Sequence, residues 1–159
     1  MKDIFLVLAG FAGTLLMTFF MYLIGFLWGK RLDVIGFLGL FIFKGRNDST
    51  PKGIILLAGT ILHFLTGIIY AYVYSALWNA DIGKPNFFFS IIFGIASGLL
   101  AILVWNILIF LNSNFLNIPV KAFTISLFFT HIIFSFVVFY TYLFLERYPL
   151  PLHQSLNCG

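Results

Sequence analysis

The stretch GTILHFLTGIIYAYVYSALW, residues 59–78, decides the architecture. It carries no charged residue and matches the roughly 20 apolar residues that cross a hydrocarbon core of about 30 Å as a helix. Yet His63 stands within it. A second stretch, THIIFSFVVFYTYLF at residues 130–144, repeats the combination around His131. Shifting the first stretch by 68 positions carries His63 onto His131, Tyr72 onto Tyr140, Tyr74 onto Tyr142 and the small Gly67 onto the small Ser135.

Composition explains the solvent these stretches need. Hydrophobic residues make up 62% of the 159-residue chain and charged residues 9%, against roughly 45–50% and 25% in soluble domains. Too few polar groups exist to cover a water-facing surface, so membrane lipid is the expected surrounding. The net charge of +4 is spread over short connections. It suits a rim facing anionic headgroups and gives no basic run for nucleic acid. Cys158 is the single cysteine and forms no internal disulfide.

Four apolar runs are predicted to span: 4–29, 51–78, 87–111 and 123–146. They form one transmembrane domain over residues 1–147, followed by an extended tail, 148–159, bearing Pro149 and Pro151. The run from Ile4 to Gly29 exceeds the roughly 7–15 residues of a signal-peptide core, so it reads as an uncleaved span. Thr50 is the predicted N-cap of the second span, with Pro51 in its first turn. Between the first two spans, Leu32–Phe43 reaches only about 18 Å as a helix. It is expected to lie in the interface or to re-enter the bundle, with Asp33 near its start. Trp28, Trp78 and Tyr148 suit anchoring at span ends. The fold class is thus all-α: two similar hairpins plus one short interfacial or re-entrant helix.

Four spans place both termini on one side. Lys30, Arg31, Lys44, Arg46, Lys52 and Lys121 fall on the other, against Lys2, Lys84 and Arg147 with the termini. The positive-inside bias then makes the first loop cytoplasmic and the termini external. In that orientation the Asn47-Asp48-Ser49 sequon is an unmodified turn.

Small residues recur at helical spacing. Gly59, His63, Gly67, Ala71 and Ser75 form one row, and Ser90, Gly94 and Gly98 another. The first span adds Gly13, Met17, Met21, Gly25 and Gly29 beside Gly10, Thr14 and Thr18. Helices in lipid associate by close approach over such residues. A row stepping by four drifts about 40° per step, so about three members share any one crossing. Gly10 or Gly13 against Gly94 or Gly98 extends the repeat to the first and third spans.

The early Gly13-Thr14, Met17-Thr18 and Met21, then Asp33 with Leu38-Gly39, then His63 with Gly67 resemble a pattern in small four-helix bacterial membrane proteins of unknown function. That resemblance implies a fold and assigns no activity. Ser135 stands where the pattern favours glycine.

A buried imidazole must find hydrogen-bond partners. Thr60 and Thr66 lie a turn from His63, Thr130 adjoins His131, and Thr14, Thr18 and Asn106 offer groups on other helices. The first expectation is therefore a non-catalytic bundle tied by its histidines, serving as an accessory subunit beside other integral membrane chains and holding no cofactor. Its many phenylalanines, 22 in all, suit an exterior facing lipid or a partner. A second reading places haem b between His63 and His131, which requires equal depth in facing helices. A third is a small-molecule or lipid carrier. Asp3, Asp33, Asp48, Asp81 and Glu146 all fall outside spans or at their edges, which disfavours cation-coupled transport. No nucleophile elbow, HExxH, Cys–His cluster or phosphate loop suggests an enzyme. His153 and Cys158 belong to the tail. The Phe, Ile, Asn and Lys richness fits an AT-rich bacterial genome and a cytoplasmic membrane.

Overall fold

The computed structural model describes residues 2–43, 50–111 and 118–148. Five helices follow in order: α1 Lys2–Leu27, α2 Val34–Ile42, α3 Lys52–Asn79, α4 Phe87–Leu111 and α5 Val120–Arg147. Among the described residues there is no strand. The four long helices are each apolar and long enough to cross a bilayer, and the chain is a multi-pass helical membrane protein. The sequon, Lys44, Arg46, His153, Cys158 and the tail beyond Tyr148 lie outside the described residues.

Two boundaries move. Pro51, not Thr50, is the N-cap of α3, and it makes no side-chain cap bond. Proline's fixed φ suits that junction without a hydroxyl. The last helix starts at Val120 instead of 123, because Pro119 takes the N-cap position. That shift gives the histidines matching places along their helices: His63 stands eleven residues after Lys52, and His131 eleven after Val120.

The packing order is α3–α1–α5–α4, with α2 lying on α3. Small residues set each crossing, as lipid-immersed helices require. A Cβ on Gly10 would fall 2.7 Å from Ile68 Cα, and one on Gly94 2.6 Å from Ile132 Cα. The two hairpins α1–α3 and α4–α5 therefore cross alike. Ile132 lies 64 positions after Ile68 and Gly94 84 after Gly10, so the packing register is one turn short of the 68-residue match in sequence. The same offsets relate the remaining seams. Gly13 meets Val138 between α1 and α5, and Ser97 meets Tyr74 between α4 and α3 through a hydrogen bond of 2.9 Å. The molecule is an internally repeated four-helix bundle with its pseudo-twofold axis running along the helices.

The short segment breaks that symmetry. Gly29 turns the chain with φ +60°, a conformation glycine takes without steric cost. Leu32 then packs on Gly25, and Asp33 caps α2 by accepting from Gly36 N at 2.8 Å. Helix α2 runs antiparallel along α3: Gly59 meets the Ile35 carbonyl and Gly39 meets the Ile55 carbonyl, backbone against backbone. Gly59 is seven residues into α3, so the start of α2 lies about 10 Å below the helix end. The short helix thus packs alongside the first turns of α3. Phe37 projects from it to Trp105 on α4 (6.5 Å) and Phe123 on α5 (5.7 Å). Thus α2 wedges between α3 and α4 on one half of the bundle. On the other half Tyr74 closes the same seam, stacking on Phe93 at 5.3 Å.

Trp28 and Tyr148 are exposed at helix ends, as anchors should be, but Trp78 packs inward on Phe139 at 4.8 Å. The exterior is apolar: Phe11, Phe19, Phe26 and Phe110 all face outward.

Gly59→Val is expected to undock α2, because the added carbons meet backbone that cannot rotate away. The cost should approach about 3 kcal/mol, read as a lowered unfolding midpoint in mixed micelles. Gly53→Val, where a Cβ meets nothing within 4 Å, serves as the matched control.

Candidate functional site

Each long helix presents a buried stripe to the bundle axis, and the polar residues on these stripes converge. From α1, Thr14 donates to Gly10 O at 2.7 Å and Thr18 donates to Thr14 O at 2.7 Å. Thr18 Oγ1 also lies 2.9 Å from His63 Nε2. On α5, His131 Nδ1 lies 2.8 Å from the Leu127 carbonyl, one turn back along its own helix. His63 is 7% exposed and His131 6%, so neither ring faces the acyl chains.

Between these rings lies a cavity of about 260 Å³, lined from all five helices. Met17, Leu38, Leu127 and Phe134 give it apolar walls, and His63, His131 and Tyr70 bring polar atoms to it. Its rim includes Thr66 on α3 and Val104 on α4, both exposed on the outside of the bundle. The cavity thus borders the seam that α2 holds apart. Tyr70 stands edge-on to His131 at 6.1 Å and to Phe134 at 6.1 Å.

The residues anticipated as histidine partners separate sharply. Thr18 binds His63, and Thr14 supports Thr18. Thr60 and Thr66 instead donate to the Leu56 and Leu62 carbonyls of their own helix, each at 2.8 Å. Thr130 likewise returns to Leu127 O at 3.2 Å. Asn106 is exposed on the outer face of α4 and joins no histidine. The close-packing residues behave as spacing suggests. Gly13 faces Phe134 and Val138, Gly67 meets Thr14, and Gly94 and Gly98 lie under α5. Gly59 serves α2 instead of α1, the drift along a four-residue row. Ser135 is fully buried.

Tyr70 and Trp105 were not singled out from sequence. Tyr70 had a signal: it lies seven residues after His63, on the same helical face. Trp105 follows Ala101 by one turn in the same way. Leu38 stood in the pattern with Gly39, but only the docking of α2 brings it to the cavity.

Haem ligation would require His63 Nε2 to leave Thr18. It would also require the helices to part, since the space is below the roughly 300–1,000 Å³ of sites for drug-sized ligands. Among the described residues no group of three or more His, Cys, Asp or Glu side chains could hold a metal ion. Asp33 stands apart from the cavity. It lies outside the four spans, in the connection between α1 and α2, accepting from Tyr22 Oη at 3.2 Å and pairing with Arg31 at 3.1 Å.

No family model, curated protein or solved structure matches the chain. The motif residues nonetheless act together: Gly13, Thr14, Met17, Thr18 and Met21 form the buried face of α1, while Asp33 and Gly39 seat α2.

Thr18→Val keeps the shape and removes the hydroxyl, leaving His63 Nε2 without its partner. It is expected to cost about 1–3 kcal/mol. Thr66→Val should stay within about 0.5 kcal/mol. Reversible unfolding in mixed micelles compares the two.

Proposed function

We propose that this is a non-catalytic membrane protein that holds a small lipid-soluble molecule inside its bundle. One observation carries the reading: an apolar cavity with buried imidazoles lies beside a seam between α3 and α4 that a dedicated helix keeps open. A helix bundle with no guest gains nothing from such a space, because a void costs its lining the contacts it lacks. Apolar walls with a few converging polar groups are the ordinary form of a small-molecule site. The exposed rim lets a guest arrive sideways from the bilayer.

The membrane is a bacterial cytoplasmic one in this reading, with the face bearing Lys30, Arg31, Lys52 and Lys121 toward the cytoplasm. A second role, as accessory subunit of a larger complex, is favoured by Asn106. Its amide projects from the outer face of α4 between Leu103 and Phe110, both exposed, where hydrocarbon offers it no partner and a neighbouring helix would.

Binding is tested with Trp28→Phe and Trp78→Phe combined, so that Trp105 is the sole indole, in nanodiscs of one phospholipid. Adding n-octanol is expected to change Trp105 emission saturably. Ala101→Phe, which fills the cavity from α4, should abolish the change while helix content is kept. A linear response unaffected by Ala101→Phe would refute the reading. For the second role, a photo-crosslinking residue at 106 should capture a different membrane chain; capture of lipid alone counts against it.

A further inference from the structure

The chemical class of the guest follows from counting protons around the two histidines, and it rests on the binding reading above. A hydroxyl has one hydrogen to give. Thr18 spends its hydrogen on the Thr14 carbonyl at 2.7 Å, since a carbonyl only accepts. The 2.9 Å contact with His63 therefore needs its hydrogen from the imidazole, so His63 Nε2 is the protonated nitrogen. In a neutral ring the other nitrogen, Nδ1, is then a bare acceptor. His131 resolves in the same way with the nitrogens exchanged. Its Nδ1 faces the Leu127 carbonyl at 2.8 Å and must carry the hydrogen, which leaves Nε2 bare.

Both bare nitrogens remain reachable. Among the described residues, the side-chain polar atoms sealed from any probe and without a hydrogen bond are Trp78 Nε1, Ser126 Oγ and Ser135 Oγ. Neither histidine is among them, and both histidines line the cavity. Two rings more than nine-tenths buried thus turn unused acceptors toward one apolar space. Acceptors in hydrocarbon without a donor are costly. Tyr70 lines the same space, and its hydroxyl has no hydrogen-bond partner among the described residues.

We infer that the cavity is built for a neutral apolar molecule carrying a hydroxyl group, a lipid-soluble alcohol or phenol. The guest's O–H is given to a bare imidazole nitrogen, and its oxygen accepts from Tyr70. An ether or ketone of equal size only accepts, so it leaves both imidazole nitrogens unpaired where an alcohol pairs one. A site made to bind a hydroxyl rejects an analogue without one on that ground. A cationic donor such as an ammonium finds no carboxylate in the lining and would bring an unpaired charge into hydrocarbon.

The test compares n-octanol with its isomer methyl heptyl ether, which has the same atoms and no O–H. Both are titrated at matched mole fraction in the bilayer against the chain whose sole indole is Trp105. The alcohol is expected to reach half-saturation at about tenfold lower mole fraction than the ether. His131→Phe keeps a ring in place and should shrink that preference, as should Tyr70→Phe. Equal midpoints for the two isomers overturn the hydroxyl assignment while leaving binding intact. Failure of both isomers to saturate removes the binding reading itself, and the assignment with it. The isomer comparison needs no substitution at the site, so its outcome stands even where a histidine variant fails to fold.

Discussion

Everything distinctive about this bundle depends on one contact, the seating of α2 on α3 backbone against backbone at Gly39 and Gly59. Four lipid-immersed helices related by a pseudo-twofold axis would otherwise close all four seams alike. Three seams do close, over Gly10, Gly94 and Gly13. The fourth closes only where Tyr74 bonds Ser97, because α2 occupies the other half. An asymmetric insertion into a symmetric frame creates the internal space. The repeat supplies rigidity and the insertion supplies a site.

That arrangement also explains why the histidines differ in role despite matching places along their helices. The packing register of the second hairpin is one turn out of step with the first, so His131 occupies the crossing level where Gly67 stands in α3. His63 can then reach across to α1 for Thr18, whereas His131 lies over Gly98 and Gly94 and turns to its own backbone. The one-turn difference in register goes with the different nitrogen that each ring engages, Nε2 in His63 and Nδ1 in His131.

Much of the fold was legible because lipid imposes simple rules. Span number and length follow from apolar runs, and close crossings from glycine spacing. The short run 32–43 could be recognised as too short to cross, yet where it docks could not be read, since α2 is apolar on every side and periodicity gives it no direction. Its docking depends on Ile35 and Ile55 carbonyls meeting Gly59 and Gly39, a pairing between distant segments. The site was half legible. His63, His131 and Thr18 announce themselves as polar residues in spans. Thr60, Thr66 and Thr130 announced themselves equally and proved to bond their own helices, because a threonine hydroxyl can always reach a carbonyl one turn back. Asn106 was misread for a related cause: polarity inside a span tells that a partner is needed and not on which face it lies.

The placement of Asp33 bears on the lipid around the bundle. Its carboxylate, paired with the 82% exposed Arg31 side chain, lies beside Tyr22, about one and a half turns before the end of α1. A charge held at hydrocarbon level draws water and headgroups toward it. A protein that thinned its surroundings in that way would be sorted among membranes by their thickness.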